Sequence, residues 1–447
     1  MIPLEIQAQR PGATEVSVSE IDGRRCVRVR VGDGDQAALL GVDDGTLLAI
    51  GAHVARENGV PIVCHINSGG VPPSEGVEAL HGWGVAAREL TRSSGIIPIV
   101  MCVHETAVSG SALLLGLADI VVMIEGSYSY VSGPRMVQEY TGVPIDNDDL
   151  GGARRHAGTS GVAAAVVATT DEADAYIADV LGILPANSGA LPPIVDTADP
   201  PDRLLPDVAD IVPTTAMGSY DVRDIVAEVV DDGFVLELRA EWAANLVTAL
   251  ASVGGRPIGV VANQPQHLAG TLDIPASQKG AGFVAFCDAF NLPLLTLVDT
   301  SGFLPGKDLE WRGMIRHGAQ LAFAYARASV PRVNVTLRKS YGGAYIVMDS
   351  KYMGNDLALA WPTAEIAVMG AKGAVEILHR KADEVERAER ELEYEDRLLN
   401  PYIAAERGSV DMVIDPASTR RQVAAAFEAL ASKRENLRRR IHDNTPL

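Results

Sequence analysis

The chain has 447 residues, too many for one ordinary hydrophobic core, so two domains are the starting expectation. Hydrophobic residues make up 47% and aromatics only 5%, with abundant glycine and alanine; this fits closely packed α/β layers and speaks against disorder. A formal charge of −20 excludes a broad nucleic-acid or anionic-membrane surface, although a few arginines could still hold a small anion.

Cys26, Cys64, Cys102 and Cys287 are far apart and show no C-x-x-C spacing, so neither a structural zinc nor a disulfide framework is expected. No charged-then-apolar leader and no bilayer-length apolar run are visible. The expectation is a soluble, cytoplasmic protein with no membrane partner and no metal.

In chain order, residues 1–14 read as a loose lead-in. Glu15 to Val31, broken at Asp22-Gly23, alternates like a hairpin. Asp44 to Glu57 has helical periodicity ending at Asn58-Gly59. Pro61 to Ile66 is a short buried strand leading into Asn67-Ser68-Gly69-Gly70, and Gly76 to Arg92 a helix. Ile96 to Val103 is a further strand, followed by Ser109-Gly110 and the apolar stretch Ser111 to Ile124. Strands alternating with helices predict parallel sheets with helical crossovers.

An internal repeat then emerges. Gly23-Arg24 recurs as Gly255-Arg256, Pro61 as Pro293, Pro98 as Pro331, and Ser109-Gly110 as Gly342-Gly343, always 232 or 233 positions on. Val131-Ser132-Gly133 matches Val368-Met369-Gly370 after a four-residue insertion. One offset held over a hundred residues predicts two copies of one α/β unit.

Between the copies, Ile183 to Pro213 carries Pro185, Pro192, Pro193, Pro200, Pro201, Pro206 and Pro213, which no regular element accepts. The expected organisation is residues 1–185, a proline-rich linker 186–220, and residues 221–447. The second part opens with a short helix, Asp221 to Asp231. It later carries a charged, solvated helix over Ala382 to Leu398, and Asn400 to Asp415 returns to apolar patterning. Thr419 to Arg440 is expected to be a basic amphipathic helix.

The stretch Arg338 to Met348 has the most pointed chemistry. The β-branched run Val330 to Leu337 reads as a strand; a basic pair, Gly342-Gly343 and renewed apolar periodicity follow. Strand, glycine turn and helix leave unpaired amides aimed at one point, with no Cβ obstructing a ligand. The same turn also reads as a tight connection with no ligand. No G-x-S-x-G, H-E-x-x-H, phosphate-loop or dinucleotide signature is present. His65 reads as a core residue, His104 as a residue that could face a cleft, His156 as loop decoration or part of an anion site. Glu105 and Glu365 look isolated. What remains is a pair of glycine turns at equivalent points, a pattern suited to stabilising two enolate-like oxyanions.

The second half resembles the carboxyltransferase (β) subunits of biotin-dependent acyl-CoA carboxylases, especially the propionyl-CoA carboxylase branch of the crotonase-like superfamily. The resemblance lies in Gly255-Arg256-Pro257 through Pro265, Asp299 through Gly302-Phe303-Leu304-Pro305-Gly306, and Arg338-Lys339 through Tyr345. It continues in Leu359 through Ala364, Ala367 through Ala371, and Asn400-Pro401-Tyr402 with Ala404 through Gly408. Gly133-Pro134, Leu150 through Arg154 and Thr159 through Val162 extend it into the first half.

The resemblance implies a tandem pair of crotonase-like ββα domains in a homohexamer, a dimer of trimers. Each active site would lie between the N-domain of one subunit and the C-domain of another. It implies a CoA thioester substrate on the N-domain side and, on the C-domain side, carboxybiotin carried by a biotin carboxylase/biotin carrier α subunit. Gly343 and Ala344 would polarise the biotin ureido carbonyl, with Gly302 and Phe303 nearby. Ser109 and Gly110 would hold the thioester enolate, and Gly69, Gly70, Gly133, Pro134 and Gly342 would line the substrate site. Ile346 matches the position that tunes acyl-chain length, and an apolar residue there implies chains beyond acetyl.

Three features depart from the family pattern. The chain begins closer to its first hairpin, Gly70 is followed by Val71-Pro72-Pro73-Ser74, and the first turn is Val108-Ser109-Gly110-Ser111 where two glycines between alanines are usual. All fall on the acyl-CoA side. The acceptor therefore stays open, as do a decarboxylase running the half-reaction in reverse and a catalytically degenerate subunit of a mixed ring.

Overall fold

The computed structural model describes residues 7–9, 14–32, 37–215, 218–433 and 435. The rest of the expected lead-in and most of the end of the basic C-terminal helix lie outside these residues. Two compact units are present. One is Met1–Pro193 with Leu238–Trp242 and Ala289–Asn291; the other is Ile194–Glu237 with Ala243–Asp288 and Leu292–Leu447.

In the first unit an antiparallel hairpin, Thr14–Ile21 with Arg24–Val31, feeds a parallel run of Ile62–Ser68, Ile99–Val108 and Ile120–Ile124. The second unit repeats this with the hairpin Leu246–Val253 and Arg256–Asn263, then the parallel strands Leu294–Thr300, Arg332–Tyr341 and Leu357–Ala360. Each sheet has eight strands among the described residues.

The duplication extends to irregularities. The pairing register shifts between Ile66 and Ser68 in one unit and between Val298 and Thr300 in the other, at equivalent places. In both, the next strand is ten residues long and forks. Ile99–Val108 pairs first with Ile120–Ile124 and then, at Thr106 to Val108, with Tyr128–Tyr130. Arg332–Tyr341 pairs first with Leu357–Ala360 and then, at Lys339 to Tyr341, with Glu365–Ala367. The second partner carries each strand past its β-branched run and up to the turn that follows.

The core of the first unit packs Val27, Val29, Ile62, Cys64, Ile66, Ile99, Met101 and Val103 beneath the helices Val42–Asn58 and Glu78–Ser93. Gly59 caps the first helix with φ 65°, the left-handed conformation that its sequence position calls for. All four cysteines are free and buried. No helix among the described residues is long and apolar enough to cross a membrane.

The expected linker is not slack. Leu205, Val208, Val212 and Tyr220 are buried in the second unit's core with Val226, Val247 and Trp361. Proline prevents regular structure here without preventing burial, which periodicity does not register. Arg420, from the helix Thr419–Ala429, fastens this segment. Its guanidinium is fully buried and donates to the carbonyls of Asp199 (3.1 Å), Pro200 (3.0 Å) and Val229 (2.8 Å) and to the carboxylate of Asp231 (2.7 Å).

Removing one partner of a buried ion pair leaves the other charge exposed to a low-dielectric interior. Arg420→Met is therefore expected to destabilise the second unit by about 3–5 kcal/mol. Thermal or urea unfolding would show this as a clear loss; an unchanged midpoint would mean that the proline-rich segment is not fastened through Arg420.

Candidate active site

In the second unit the turn forms as the sequence suggests. Tyr341 is extended, Gly342 takes φ 60°, and a six-residue helix starts at once, Gly342–Val347. A side chain at 342 would be strained and would meet the Val368 carbonyl at 3.2 Å. The amides of Gly343 and Ala344 lie in the first helical turn, where the helix supplies no acceptors. Gly343 is exposed, and a Cβ there would come within 3.4 Å of the Phe303 ring.

Phe303 is fixed from several sides. Leu272 N–H donates to Gly302 O and Leu304 N–H to Leu272 O, while Gly302 itself has φ 136°. The ring also closes on Gly318, whose added Cβ would meet it at 3.1 Å. Gly302, Phe303, Gly342, Gly343, Ala344 and Ile346 are thus brought into one neighbourhood. Two depressions open on it. One of about 490 Å³ is bounded by Gly343, Tyr345, Ile346, Ile366, Arg407 and Ser409. The other, of about 500 Å³, is bounded by Phe303, Met314, Ile315, Gly318, Gly343 and Ile346. Ile346 lies on both and is 37% exposed. Sequence reasoning gave Arg407 no role, although it lies in the quoted Ala404–Gly408 stretch, and missed Ser409 and Met314, which carry no motif of their own.

The basic pair is not a loose anion clamp. Arg338 Nε donates to Asp299 Oδ2 at 3.0 Å, and its Nη1 to Gly218 O at 2.9 Å. Tyr220 Oη donates to the same Oδ2 at 2.9 Å, and Lys339 N–H to Asp299 Oδ1 at 3.1 Å. Asp299 thereby ties the strand before the Phe303 loop to the strand before the turn. Glu365, which looked isolated, accepts a short hydrogen bond from Tyr341 Oη. Burial first, and that bond second, raise the Tyr341 hydroxyl well above its usual value, so it is a fixed donor.

In the first unit Ser109 takes φ 61°, ψ −118°, with a positive φ like the 60° of Gly342. The Ser109 N–H donates to Tyr130 O at 3.0 Å. The residues equivalent to Gly343 and Ala344 are Gly110 and Ser111, and theirs are the first-turn amides. Gly110 is buried and close to Trp83; an added Cβ would meet that ring at 2.7 Å. Gly70, at φ 112°, stands 3.8 Å from the Ser109 side chain, and Gly133 stands 3.3 Å from the Tyr130 ring, both distances measured from an added Cβ. Pro134 opens the short helix Pro134–Thr141 behind Gly133. The Gly69 amide is committed to Ala38 O at 2.8 Å.

His65, His104 and His156 are engaged in hydrogen bonds of their own. His156 is held by Ser160 Oγ and Ser129 O, both at 2.7 Å, while Arg154 and Arg155 are paired with Glu125, Glu241 and Asp149. His65 and His104 share a hydrogen bond of 2.8 Å, and burial above all pushes His65 down to about 3.

The carboxyl transferase domain model matches residues 20–445. The chain belongs to the carboxyl transferase domain family. It is 43% identical to the propionyl-CoA carboxylase beta chain of Saccharopolyspora erythraea, covering 88% of this chain and 76% of that one. It is 41% identical to the methylmalonyl-CoA decarboxylase subunit alpha of Veillonella parvula, covering 88% and 77%. The hexameric crystal structure of transcarboxylase 12S, with methylmalonyl-CoA and methylmalonic acid bound, superposes with a TM-score of 0.95 at 39% identity, over 97% of this chain and 85% of that one. The chain therefore has the two-domain crotonase-like α/β fold that the resemblance implied.

A non-glycine residue held at this backbone conformation costs about 1–3 kcal/mol. Ser109→Gly in this carboxyltransferase is expected to stabilise the first unit by about 1 kcal/mol, shifting its melting temperature upward by roughly 2–4 °C. A lowered melting temperature would show that the Ser109 hydroxyl contributes more than the strain removes.

Proposed function

We propose that this chain is the carboxyltransferase subunit of a biotin-dependent acyl-CoA carboxylase, moving a carboxyl group to the α-carbon of a short- or medium-chain acyl-CoA. It would work as a homohexamer with a biotin carboxylase/biotin carrier α subunit. The observation that carries this reading is the duplicated strand–turn–helix, with φ near 60° at both Ser109 and Gly342. The hexameric 12S relative supports the assembly.

The second-unit turn fits a ureido carbonyl, because Gly343 is exposed and lacks a Cβ beside two first-turn amides. Carboxybiotin, when delivered by its carrier, supplies the carboxyl group and then the base for the α-proton. The amides of Gly343 and Ala344 would donate to the ureido oxygen, and Phe303 would wall that spot. The amides of Gly110 and Ser111 would donate to the thioester oxygen as negative charge grows on it. Backbone donors suffice for both tasks, so no side-chain acid or base is required. Ile346, on the rim of both depressions, would limit the acyl chain.

The decarboxylase reading draws on the relative of that name. It uses the same residues in the opposite direction. The degenerate-subunit reading is disfavoured, because the first turn keeps its backbone although a serine occupies position 109.

Purified protein supplied with a biotinylated partner, bicarbonate, ATP and a panel of acyl-CoAs should carboxylate at least one of them. Gly343→Val should lower turnover on the order of 10²–10³-fold, the usual cost of losing an oxyanion donor, with the assembly unchanged by light scattering. Undiminished turnover in this variant would remove Gly343 from the site. Ile346→Trp should lower kcat/KM for a butyryl substrate about 10-fold more than for an acetyl one, since one or two methylenes in an apolar pocket carry that much discrimination. Equal losses for both chains would overturn the assignment of Ile346.

A further inference from the structure

A second constellation lies in the first unit, outside the turn just described. His65, in Ile62–Ser68, stands directly opposite Cys102 in the neighbouring parallel strand Ile99–Val108. His104 lies two residues beyond Cys102, and its Nε2 is 2.8 Å from His65 Nδ1. One ligand atom from each of these three side chains lies within 4.8 Å of the other two. Behind them, Asp174 from the helix Thr170–Ile183 brings Oδ1 to 4.0 Å from His65 Nε2.

His65 is only 6% exposed, yet its Nε2 has no hydrogen-bond partner, and neither does the enclosed Oδ1 of Asp174. These two enclosed, complementary atoms face each other slightly beyond hydrogen-bond reach. We propose that His65, Cys102 and His104 bind one divalent cation of the zinc class, with Asp174 as a positioning residue that orients the His65 ring.

Two imidazoles and one thiolate are a donor set for a borderline-soft transition cation, with a fourth position left for water. A carboxylate behind a ligating imidazole is the usual means of holding that ring in the ligating tautomer. Binding exchanges the Cys102 S–H bond for an S–metal bond and releases one proton to solvent. Arg28 and Arg30, on the adjoining strand, place positive charge near His65 and oppose a second positive charge there. The thiolate and the Asp174 carboxylate offset that charge. The Cys-x-x-Cys spacing rule overlooks the cluster because its ligands are brought together by strand pairing.

The test uses the full-length protein stripped of metal with a chelator and titrated with Co²⁺, then Zn²⁺. One Co²⁺ per chain is expected, giving a thiolate-to-cobalt charge-transfer band that Zn²⁺ abolishes by displacement. Cys102→Ser should eliminate the band. His104→Gln, at a half-buried position that tolerates change, should weaken binding at least about 100-fold, and Asp174→Asn about 10–100-fold. As a second readout, Zn²⁺ should raise the melting temperature of the unaltered protein and leave that of His104→Gln unchanged. Failure of the stripped protein to retain either metal would overturn the proposal. So would cobalt bound without a thiolate band, or His104→Gln binding as well as the unaltered protein.

Discussion

A parallel strand that ends in a residue with φ near +60° and becomes a helix within one residue leaves its first two helical amides without acceptors and pointed at one place. The other observed features of each candidate site keep that junction from relaxing. The forked strands Ile99–Val108 and Arg332–Tyr341 each gain a second short partner at their ends, which holds the backbone extended up to the turn. Without Tyr128–Tyr130 or Glu365–Ala367, the last residues of each strand would lack a ladder on that side and the amides a fixed direction.

The two units stabilise this junction differently. In the second, Asp299 gathers Arg338, Tyr220 and the Lys339 amide, so the loop at Phe303 and the turn at Gly343 share one buried carboxylate. In the first, the close neighbours are apolar and glycine-rich: Trp83 against Gly110, and Gly70 against Ser109. Of the two second-unit depressions, Ile346 walls both and Phe303 walls one. A serine held in glycine's conformation at 109 sits where the reaction is expected to place its thioester. Strained residues of this kind cluster at functional sites.

Much of this was legible in the sequence. The constant 232–233 offset and the glycine turns pointed to a duplicated α/β unit, because turns that need φ > 0 leave a compositional mark. What escaped notice was non-local. The β-branched run stops at Leu337, yet the strand continues to Tyr341, since its continuation depends on pairing with Glu365–Ala367. The proline-rich stretch reads as a linker, although Leu205, Val208 and Val212 are core residues. Glu365 looked isolated because its partner, Tyr341, is 24 positions away. The resemblance implies Ser109 as part of the first oxyanion pair; the bond from its amide to Tyr130 O comes from a short strand that no local motif reveals.

The proposed carboxyl transfer rests on the backbone amides of two turns of this chain, with biotin as the only group needed beyond the CoA ester. The most direct measurement is the isolated half-reaction. Purified protein, without ATP or a carboxylase partner, is incubated with free biotin and a carboxylated acyl-CoA bearing a radiolabelled carboxyl group. The account predicts biotin-dependent loss of label from the CoA ester. A folded, correctly assembled protein that leaves the label in place across malonyl-, methylmalonyl- and ethylmalonyl-CoA would contradict it.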